Sequence, residues 1–176
     1  RPSVVYSVDD NFTTNFMTLL NRLPFFPLYY GGKTKFSPIH CSDLTDTIYH
    51  VISNNIYSKI IECVGPEIFS FKEIILKLLN MISKKRILLP MPLPIAQMSA
   101  RIFEIMPKPL LTRDQLKLLK YDNIASGKYK TNSDIGVPSV RHFDEEVKKY
   151  CYMWREGGQF STEKYNSEKK SDSKLN

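Results

Sequence analysis

The stretch RPSVVY at residues 1–6 decides the fold of this chain, because it has the composition of a buried strand. Val4, Val5 and Tyr6 are β-branched or aromatic, as residues of buried strands commonly are. Pro2 is tolerated at the first position of a strand, where its missing N–H matters least. Since the chain opens inside a predicted strand rather than with Met, we expect it to be a fragment, a cleaved product or one half of a split protein.

Predicted helices and strands alternate after this strand. Apolar residues recur at helical spacing between Phe12 and Leu20, and Asp9 or Asp10 precedes them as a candidate cap. A strand is predicted at 59–64, and the sequence Ser-Phe-Lys-Glu at 70–73 is a capping box that opens another helix. This alternation predicts an α/β fold with an incomplete parallel sheet.

The segment between these elements carries two further signals. Gly31-Gly32 separates two apolar runs, which predicts a short hairpin or strand pair over 28–40. Ser42 or Asp43 is then expected to cap a helix that ends near Asn54. The predicted core face of that helix consists of four apolar residues, Leu44, Ile48, Val51 and Ile52.

The C-terminal part of the chain is predicted to be rich in helix. A short strand at 86–89 is followed by two helices flanked by prolines and by an amphipathic helix at 139–156. Residues 157–176 are rich in Ser, Lys and Glu and contain few hydrophobic side chains, which predicts a disordered polar tail. We therefore predict one folded region, residues 1–156, followed by that tail.

Composition and charge restrict the classes of function. The chain has 176 residues, of which 42% are hydrophobic, and this suffices for one globular domain. Its formal net charge of +7 admits an anionic membrane surface or an acidic protein partner. The basic residues form no nucleic-acid motif or arginine-rich stripe, so we expect no nucleic-acid partner. Lys84-Lys85-Arg86 is a basic turn that is either solvated or in contact with acidic lipid.

Cysteine and histidine give no sign of a metal site. Cys41, Cys63 and Cys151 are widely spaced, without a CxxC motif or a histidine at ligand spacing. We expect three free thiols in a reducing compartment and no metal. The sequence also lacks a run of apolar residues as long as a transmembrane helix requires.

Four motifs resemble, in order and spacing, the extended short-chain dehydrogenases of the NAD-dependent epimerase/dehydratase superfamily. GGKTKFSPIHCSD at 31–43 resembles their substrate-side segment, which leads into a helix cap. GPE at 65–67 and SFKE at 70–73 resemble the next strand-to-helix step, and LTRDQ at 111–115 and DIGVP at 134–138 complete the series. The opening strand resembles a late strand of their Rossmann domain.

One branch of that superfamily is most similar to this chain. KTKFSP at 33–38, GPE at 65–67 and LTRDQ at 111–115 resemble the NAD(P)-binding accessory subunits of respiratory complex I and their alphaproteobacterial relatives. The resemblance extends over residues 1–154. It implies a Rossmann domain that binds NAD or NADP, with this chain forming the smaller C-terminal region on the substrate side.

The resemblance also implies where ligands bind. It places the glycine loop and the Tyr-x-x-x-Lys catalytic pair upstream of this chain, so NAD or NADP is expected to bind only together with that N-terminal Rossmann half. The residues expected beside the nicotinamide are Arg1, Pro2, Ser3 and Val4. Those expected on the substrate side are Lys35, Phe36 and Arg113. A plain core strand is the alternative for residues 1–5, and a solvated surface position is the alternative for Lys35.

Three functions follow from this reading, and none assigns a catalytic residue to the chain. The first is a role in assembly, stability or cofactor sensing, with the missing Rossmann half, complex I subunits or a membrane surface as partners. The second is an NAD(P)-dependent epimerase, dehydratase or reductase that acts on a nucleotide sugar. The third is an inactive product of a split gene. The expected location is cytoplasmic, peripheral to the inner face of a bacterial membrane, or on the matrix side in mitochondria.

Overall fold

The computed structural model describes residues 1–91 and 119–158. Four helices are α1 (Thr13–Arg22), α2 (Cys41–Ser53), α3 (Phe71–Met81) and α4 (Phe143–Lys148). Eight short strands are β1 (Val5–Tyr6), β2 (Phe25–Tyr29), β3 (Lys35–Phe36), β4 (Ile39–His40), β5 (Ile61–Glu62), β6 (Phe69–Ser70), β7 (Ile87–Met91) and β8 (Lys130–Thr131). Short 3-10 turns lie at Tyr30–Gly32, Ser133–Ile135 and Cys151–Trp154.

The strands form four pairs, of which three are parallel. β1 pairs with β4, β2 with β7 and β5 with β8 in parallel, whereas β3 pairs with β6 antiparallel. A parallel bridge between Pro2 and Cys63 joins the start of β1 to the end of β5. The fold is therefore a mixed α/β structure in which helices connect parallel strands, as predicted.

Aromatic packing between helices and strands forms the centre of the core. Phe71 at the start of α3 is 1% exposed, and its ring centroid lies 5.3 Å from that of Phe16 on α1. Phe26 on β2 and Phe36 on β3 lie 6.3 Å from the same ring. Fully burying one such side chain contributes about 1.5–3 kcal/mol. The core thus packs β3 against α1 and α3.

The helix at 71–81 begins as its local sequence predicts. The Ser70 hydroxyl accepts a hydrogen bond from the backbone N–H of Glu73, and the Glu73 carboxylate accepts one from the backbone N–H of Ser70. This is the predicted capping box. The first helix has a related arrangement, because Asp10 Oδ1 accepts from the N–H groups of Phe12 and Thr14.

The predicted core face of α2 is wrong. The helix buries Asp43 and Thr47, while Ile48 is 50% and Ile52 is 68% exposed. The cap also differs, because the His40 ring accepts from the N–H of Ser42. Leu44 and Val51 of the predicted face are half-buried, so the buried side of the helix is rotated toward Asp43 and Thr47 and leaves Ile48 and Ile52 exposed.

Two connections also differ from prediction. The segment 28–40 forms no hairpin, because β2, β3 and β4 each pair with a strand elsewhere in the chain. The amphipathic segment 139–156 is not one helix. It breaks after α4, where Tyr150 leaves helical backbone angles, and this turn allows the Trp154 indole N–H to donate to Thr18 Oγ1 at 2.9 Å.

Several predicted elements lie outside the described residues. These are the helices at 95–106 and, but for its last residues, at 112–121, and the tail from 159 onward. Within the described residues, no helix is long and apolar enough to cross a membrane.

Candidate functional site

The backbone of Asn123 joins the two groups of residues that were predicted to face ligands. The Ser3 hydroxyl donates to the carbonyl oxygen of Asn123 at 2.7 Å. The N–H of Asn123 donates to the carbonyl oxygen of Lys35 at 2.7 Å, and the N–H of Ser37 donates to the Asn123 carbonyl oxygen at 3.1 Å. A parallel bridge pairs Phe36 with Asn123. The start of β1 and the strand β3 therefore meet at one point.

The predicted nicotinamide-side residues lie directly before β1. The N–H of Cys63 donates to the Arg1 carbonyl, and the N–H of Ser3 donates to the Cys63 carbonyl, each at 2.9 Å. The Val4 carbonyl accepts from Ile39 at 2.9 Å on the other side of the strand. Pro2 and Arg1 are exposed. The backbone of this segment is thus held between β5 and β4.

The predicted substrate-side residues separate into different environments. Lys35 is exposed, and its N–H donates to Asp122 Oδ1 at 2.8 Å. Phe36 is 5% exposed and packs in the aromatic core, 6.0 Å from Phe12 between ring centroids. Arg113 lies outside the described residues. The Lys35 side chain is therefore open to solvent, whereas the Phe36 ring is packed inside the protein.

A close backbone contact holds the segment after β3. The N–H of Gly65 donates to the Ser37 carbonyl at 3.1 Å, and the Ser37 hydroxyl donates to the carbonyls of Gly65 and Glu67 at 3.1 and 3.2 Å. A Cβ on Gly65 would lie 1.7 Å from the carbonyl oxygen of Pro38. Only glycine permits this approach.

A partly buried polar cluster lies beside β4. The His40 side chain is 14% exposed, and its Nε2 lies 4.0 Å from a carboxylate oxygen of Glu146. Its ring packs edge-on to Tyr6, with centroids 5.3 Å apart. Burial lowers the pKa of His40, against the opposite effect of Glu146, and burial raises the pKa of Tyr6. This environment favours a neutral imidazole and a protonated phenol.

Two buried polar side chains connect the C-terminal part of the chain to the sheet. Asn132 is 0% exposed; its Oδ1 accepts from the N–H of Val64 at 2.9 Å, and its Nδ2 donates to the Val137 carbonyl at 3.0 Å. Asp43 accepts from both the backbone N–H and the guanidinium of Arg141. Both contacts are structural, since each side chain is committed to protein partners.

The spacing of the short-chain dehydrogenase catalytic pair does occur once in the described residues, at Tyr29 and Lys33. Tyr29 is buried at the end of β2, and Lys33 follows a turn in which Gly31 has a φ of 66°. The two positions therefore do not share one face of a helix. No group of three metal-ligating side chains occurs within residues 1–91 and 119–158.

Comparisons with known proteins give curated relatives and solved structures, while no family model matches the chain. The chain is 26% identical over 137 residues to the mitochondrial NADH dehydrogenase (ubiquinone) 1 alpha subcomplex subunit 9 of Arabidopsis thaliana, covering 72% of this chain and 34% of that protein. It is 30% identical over 74 residues to the subunit of the same name from Dictyostelium discoideum, covering 42% and 20%.

Two solved structures share the fold. An NAD-dependent NDP-hexosamine 5,6-dehydratase involved in tunicamycin biosynthesis has a TM-score of 0.51 at 14% identity, covering 88% of this chain and 44% of that one. A GDP-mannoheptose C4 reductase from Campylobacter jejuni with NADP bound has a TM-score of 0.53 at 16% identity, covering 87% and 47%. The chain is related to the extended short-chain dehydrogenases.

The similarity to these proteins covers only part of their length. The chain spans about a third of the Arabidopsis relative and under half of each of the two structures. The two structures and this chain share an α/β fold. The similarity in sequence to subunit 9, together with this fold, agrees with the relationship that the motifs in the sequence predicted.

Sequence reasoning missed several residues that organise this part of the structure. Asn123 acts through its backbone, so its side-chain type gave no signal. Asn132 and Arg141 act through partners 68 and 98 positions away, and no local pattern marks them. The sequence DIGVP at 134–138 was the nearest signal, because Asn132 closes that turn by accepting from the Val64 N–H and donating to Val137.

Proposed function

We propose that this chain is the C-terminal, substrate-side part of an NAD(P)-binding protein of the complex I accessory type. Its role on this proposal is assembly, stability or cofactor sensing, and it has no activity as an isolated chain. The N-terminal Rossmann half is its first partner. Its further partners on this proposal are complex I subunits or a membrane surface.

The observation that carries this proposal is the uncovered face of α2. Ile48, Tyr49 and Ile52 are 50%, 72% and 68% exposed, although their spacing is that of a buried helix face. Contiguous apolar surface of this kind marks an interaction site in proteins that remain in solution. A Rossmann half that packs on α2 would cover it.

The position of the cofactor follows from the same arrangement. Residues 1–4 would lie beside the nicotinamide of NAD or NADP, with Ser3 held by the Asn123 carbonyl. Lys35 and Arg113 would face the substrate side. Phe36 would support that side from the core rather than contact a ligand, since its ring is buried. We place the protein peripherally, at the cytoplasmic face of a bacterial membrane or on the matrix side in mitochondria.

The test combines the chain with a Rossmann half supplied in trans, using the N-terminal part of the Dictyostelium relative. Thermal unfolding of the chain alone should not respond to excess NADPH or NADH. The reconstituted pair should gain about 2.7 kcal/mol at 100 times the Kd of the cofactor. A cofactor response of the chain alone would show that the cofactor site lies within it, and would contradict the proposal.

Two lysines placed on the exposed face of α2 test whether this face docks the Rossmann half. Ile48→Lys with Ile52→Lys should prevent association with the Rossmann half while leaving the unfolding temperature of the chain unchanged. Leu76→Lys, at a position 46% exposed on α3, is the control and should leave association intact. Equal loss in both would mean that α2 is not the docking face.

An enzyme that acts on a nucleotide sugar is the second candidate. The exposed ammonium of Lys35, on a strand anchored through Asp122 and Asn123, is suited to a diphosphate. On this alternative, Lys35→Gln in the reconstituted pair should raise KM for a nucleotide sugar and leave kcat within about threefold, because the ammonium group binds substrate equally in ground and transition states.

A further inference from the structure

A groove of about 500 Å³ lies at the edge of the sheet where β5 and β8 begin. The segment after α2, residues 56–61, forms one wall, and residues 128–130 with Ile135 form the other. Ile60, Ile61 and Ile135 supply apolar surface, and Ile60 is 40% exposed. Among the described residues predicted to bind cofactor or substrate, none lines this groove, although Arg1 lies beside it.

The rim of the groove is basic. Lys59, Lys128 and Lys130 line it and are exposed. Within residues 1–91 and 119–158, no ion pair joins any of these three ammonium groups to a carboxylate. Asp134 is the acidic residue in the lining, and its Oδ2 already accepts hydrogen bonds from the N–H and hydroxyl of Thr131, at 2.7 and 2.8 Å. The rim therefore has a net positive charge that the described part of the protein does not neutralise.

Tyrosines extend the apolar surface on both sides of the rim. Tyr57 is 70% and Tyr129 is 38% exposed. The guanidinium of Arg1 lies over the Tyr129 ring, 5.2 Å from its centroid, and adds a further cation beside the lysines. Exposed tyrosine and isoleucine next to lysine is a combination typical of surfaces that sit at a membrane interface.

We propose that this groove docks the protein onto an acidic membrane surface, with the three lysines around a phospholipid headgroup and Tyr57, Ile60 and Tyr129 entering the interface. The proposal rests on the peripheral location proposed above and names the surface responsible for it. An apolar floor with a ring of cations fits a phosphate attached to acyl chains better than a free anion, which would leave Ile60 and Tyr57 in water.

The basic turn Lys84-Lys85-Arg86 is less suited to this task. Lys84 is paired with Glu156, and the guanidinium of Arg86 donates to the carbonyls of Leu20 and Asn21. Two of its three cations are therefore committed to the protein itself. The groove, by contrast, has three exposed lysines beside apolar surface, none of which forms an ion pair with a described carboxylate, although Lys130 acts electrostatically on Asp134.

The test is co-sedimentation of the full chain with vesicles. Vesicles of phosphatidylcholine containing about one-third phosphatidylserine should bind the chain, and binding should weaken as salt is raised. Each lysine near an acidic surface contributes roughly a fivefold gain in binding. The triple variant Lys59→Gln, Lys128→Gln and Lys130→Gln should thus bind roughly 100-fold more weakly.

The matched control carries the same change in net charge elsewhere. Lys33→Gln, Lys85→Gln and Lys148→Gln replace exposed lysines outside the groove and should reduce binding by less than about threefold. Unchanged unfolding temperatures establish that both triple variants fold.

Three results would overturn the proposal. Equal losses in the two triple variants would show a non-specific effect of net charge. Equal binding to vesicles of phosphatidylcholine alone would show that acidic lipid, and therefore the charge of the lysines, does not contribute to binding. Full competition by millimolar inorganic phosphate would indicate a site for a free anion. The assay uses neither cofactor nor Rossmann half, so its failure leaves the reconstitution result standing.

Discussion

Arg141 donates two hydrogen bonds to the carboxylate of Asp43, one from its backbone N–H and one from its guanidinium, across 98 positions of sequence. The Asp43 side chain is 4% exposed and that of Arg141 is 34% exposed. The pair ties the first turn of α2 to the segment that leads into α4. It explains why Asp43, a charged residue of this helix, is buried.

Replacing Asp43 by Ala should destabilise the protein by about 2 kcal/mol. The variant removes the acceptor of a buried pair, but the partial exposure of Arg141 lets water compensate in part. Urea unfolding monitored by circular dichroism would measure the change. Asp46→Ala is the control, since the Asp46 side chain is 61% exposed and lies 3.4 Å from the same guanidinium. Equal effects in the two variants would contradict the central role of Asp43.

Asn132→Ala should cost about 3 kcal/mol of stability. The substitution leaves the buried N–H of Val64 without its acceptor and removes two donors, to Val137 and Ser139. Chemical unfolding gives the magnitude. Asn80→Ala, on the exposed side of α3, should change stability by less than about 0.5 kcal/mol. A loss below 1 kcal/mol for Asn132→Ala would mean that water replaces its side chain.

Gly65→Ala should reduce stability by more than about 3 kcal/mol or prevent folding, because the new Cβ would overlap the carbonyl of Pro38. The yield of folded protein and its unfolding temperature test this. Gly127→Asn is the control: nothing lies within 4 Å of a Cβ there, and Asn tolerates the positive φ of 72°. Normal folding of Gly65→Ala would require the segment after β3 to move.

Stability should fall as the pH drops from about 6.5, the ordinary histidine value, toward the lowered pKa of His40. The folded state holds His40 neutral because of burial, whereas the unfolded chain takes up the proton, so acid favours unfolding. His40→Asn keeps an acceptor for the N–H of Ser42 and should lose less stability between pH 7 and pH 5. Unfolding temperatures measured across this range decide the point. A wild-type chain with the same slope as His40→Asn would exclude this histidine as the cause.

Local chemistry allowed part of the fold to be predicted from sequence. The capping box at Ser70 and Glu73 involves neighbours in the chain, so a four-residue motif was enough to identify it. The α/β class followed from alternating apolar periods. The family followed from motif order, which reflects the whole fold rather than any single contact.

The remaining features depend on contacts that sequence spacing does not encode. The apolar residues of α2 do recur at helical spacing, as predicted. No described residue packs over Ile48 and Ile52, however, and both are exposed. Phe36 was predicted to face substrate from its motif position, and the aromatic core holds its ring instead. The hydrogen bonds of Ser3 and Lys35 to Asn123 join residues far apart in the sequence, so only the structure reveals them.

The bonds of β1 also determine when the strand can form. Ser3 bonds to Cys63 and to Asn123, 60 and 120 positions later. Contacts of such separation slow folding, because the loops between them must be closed first. At a synthesis rate of roughly 5–20 residues per second, Ser3 leaves the ribosome about 6–24 s before Asn123. The contacts of this segment are therefore complete only after Asn123 has been made, and through that interval its valines are available to a chaperone or to another chain.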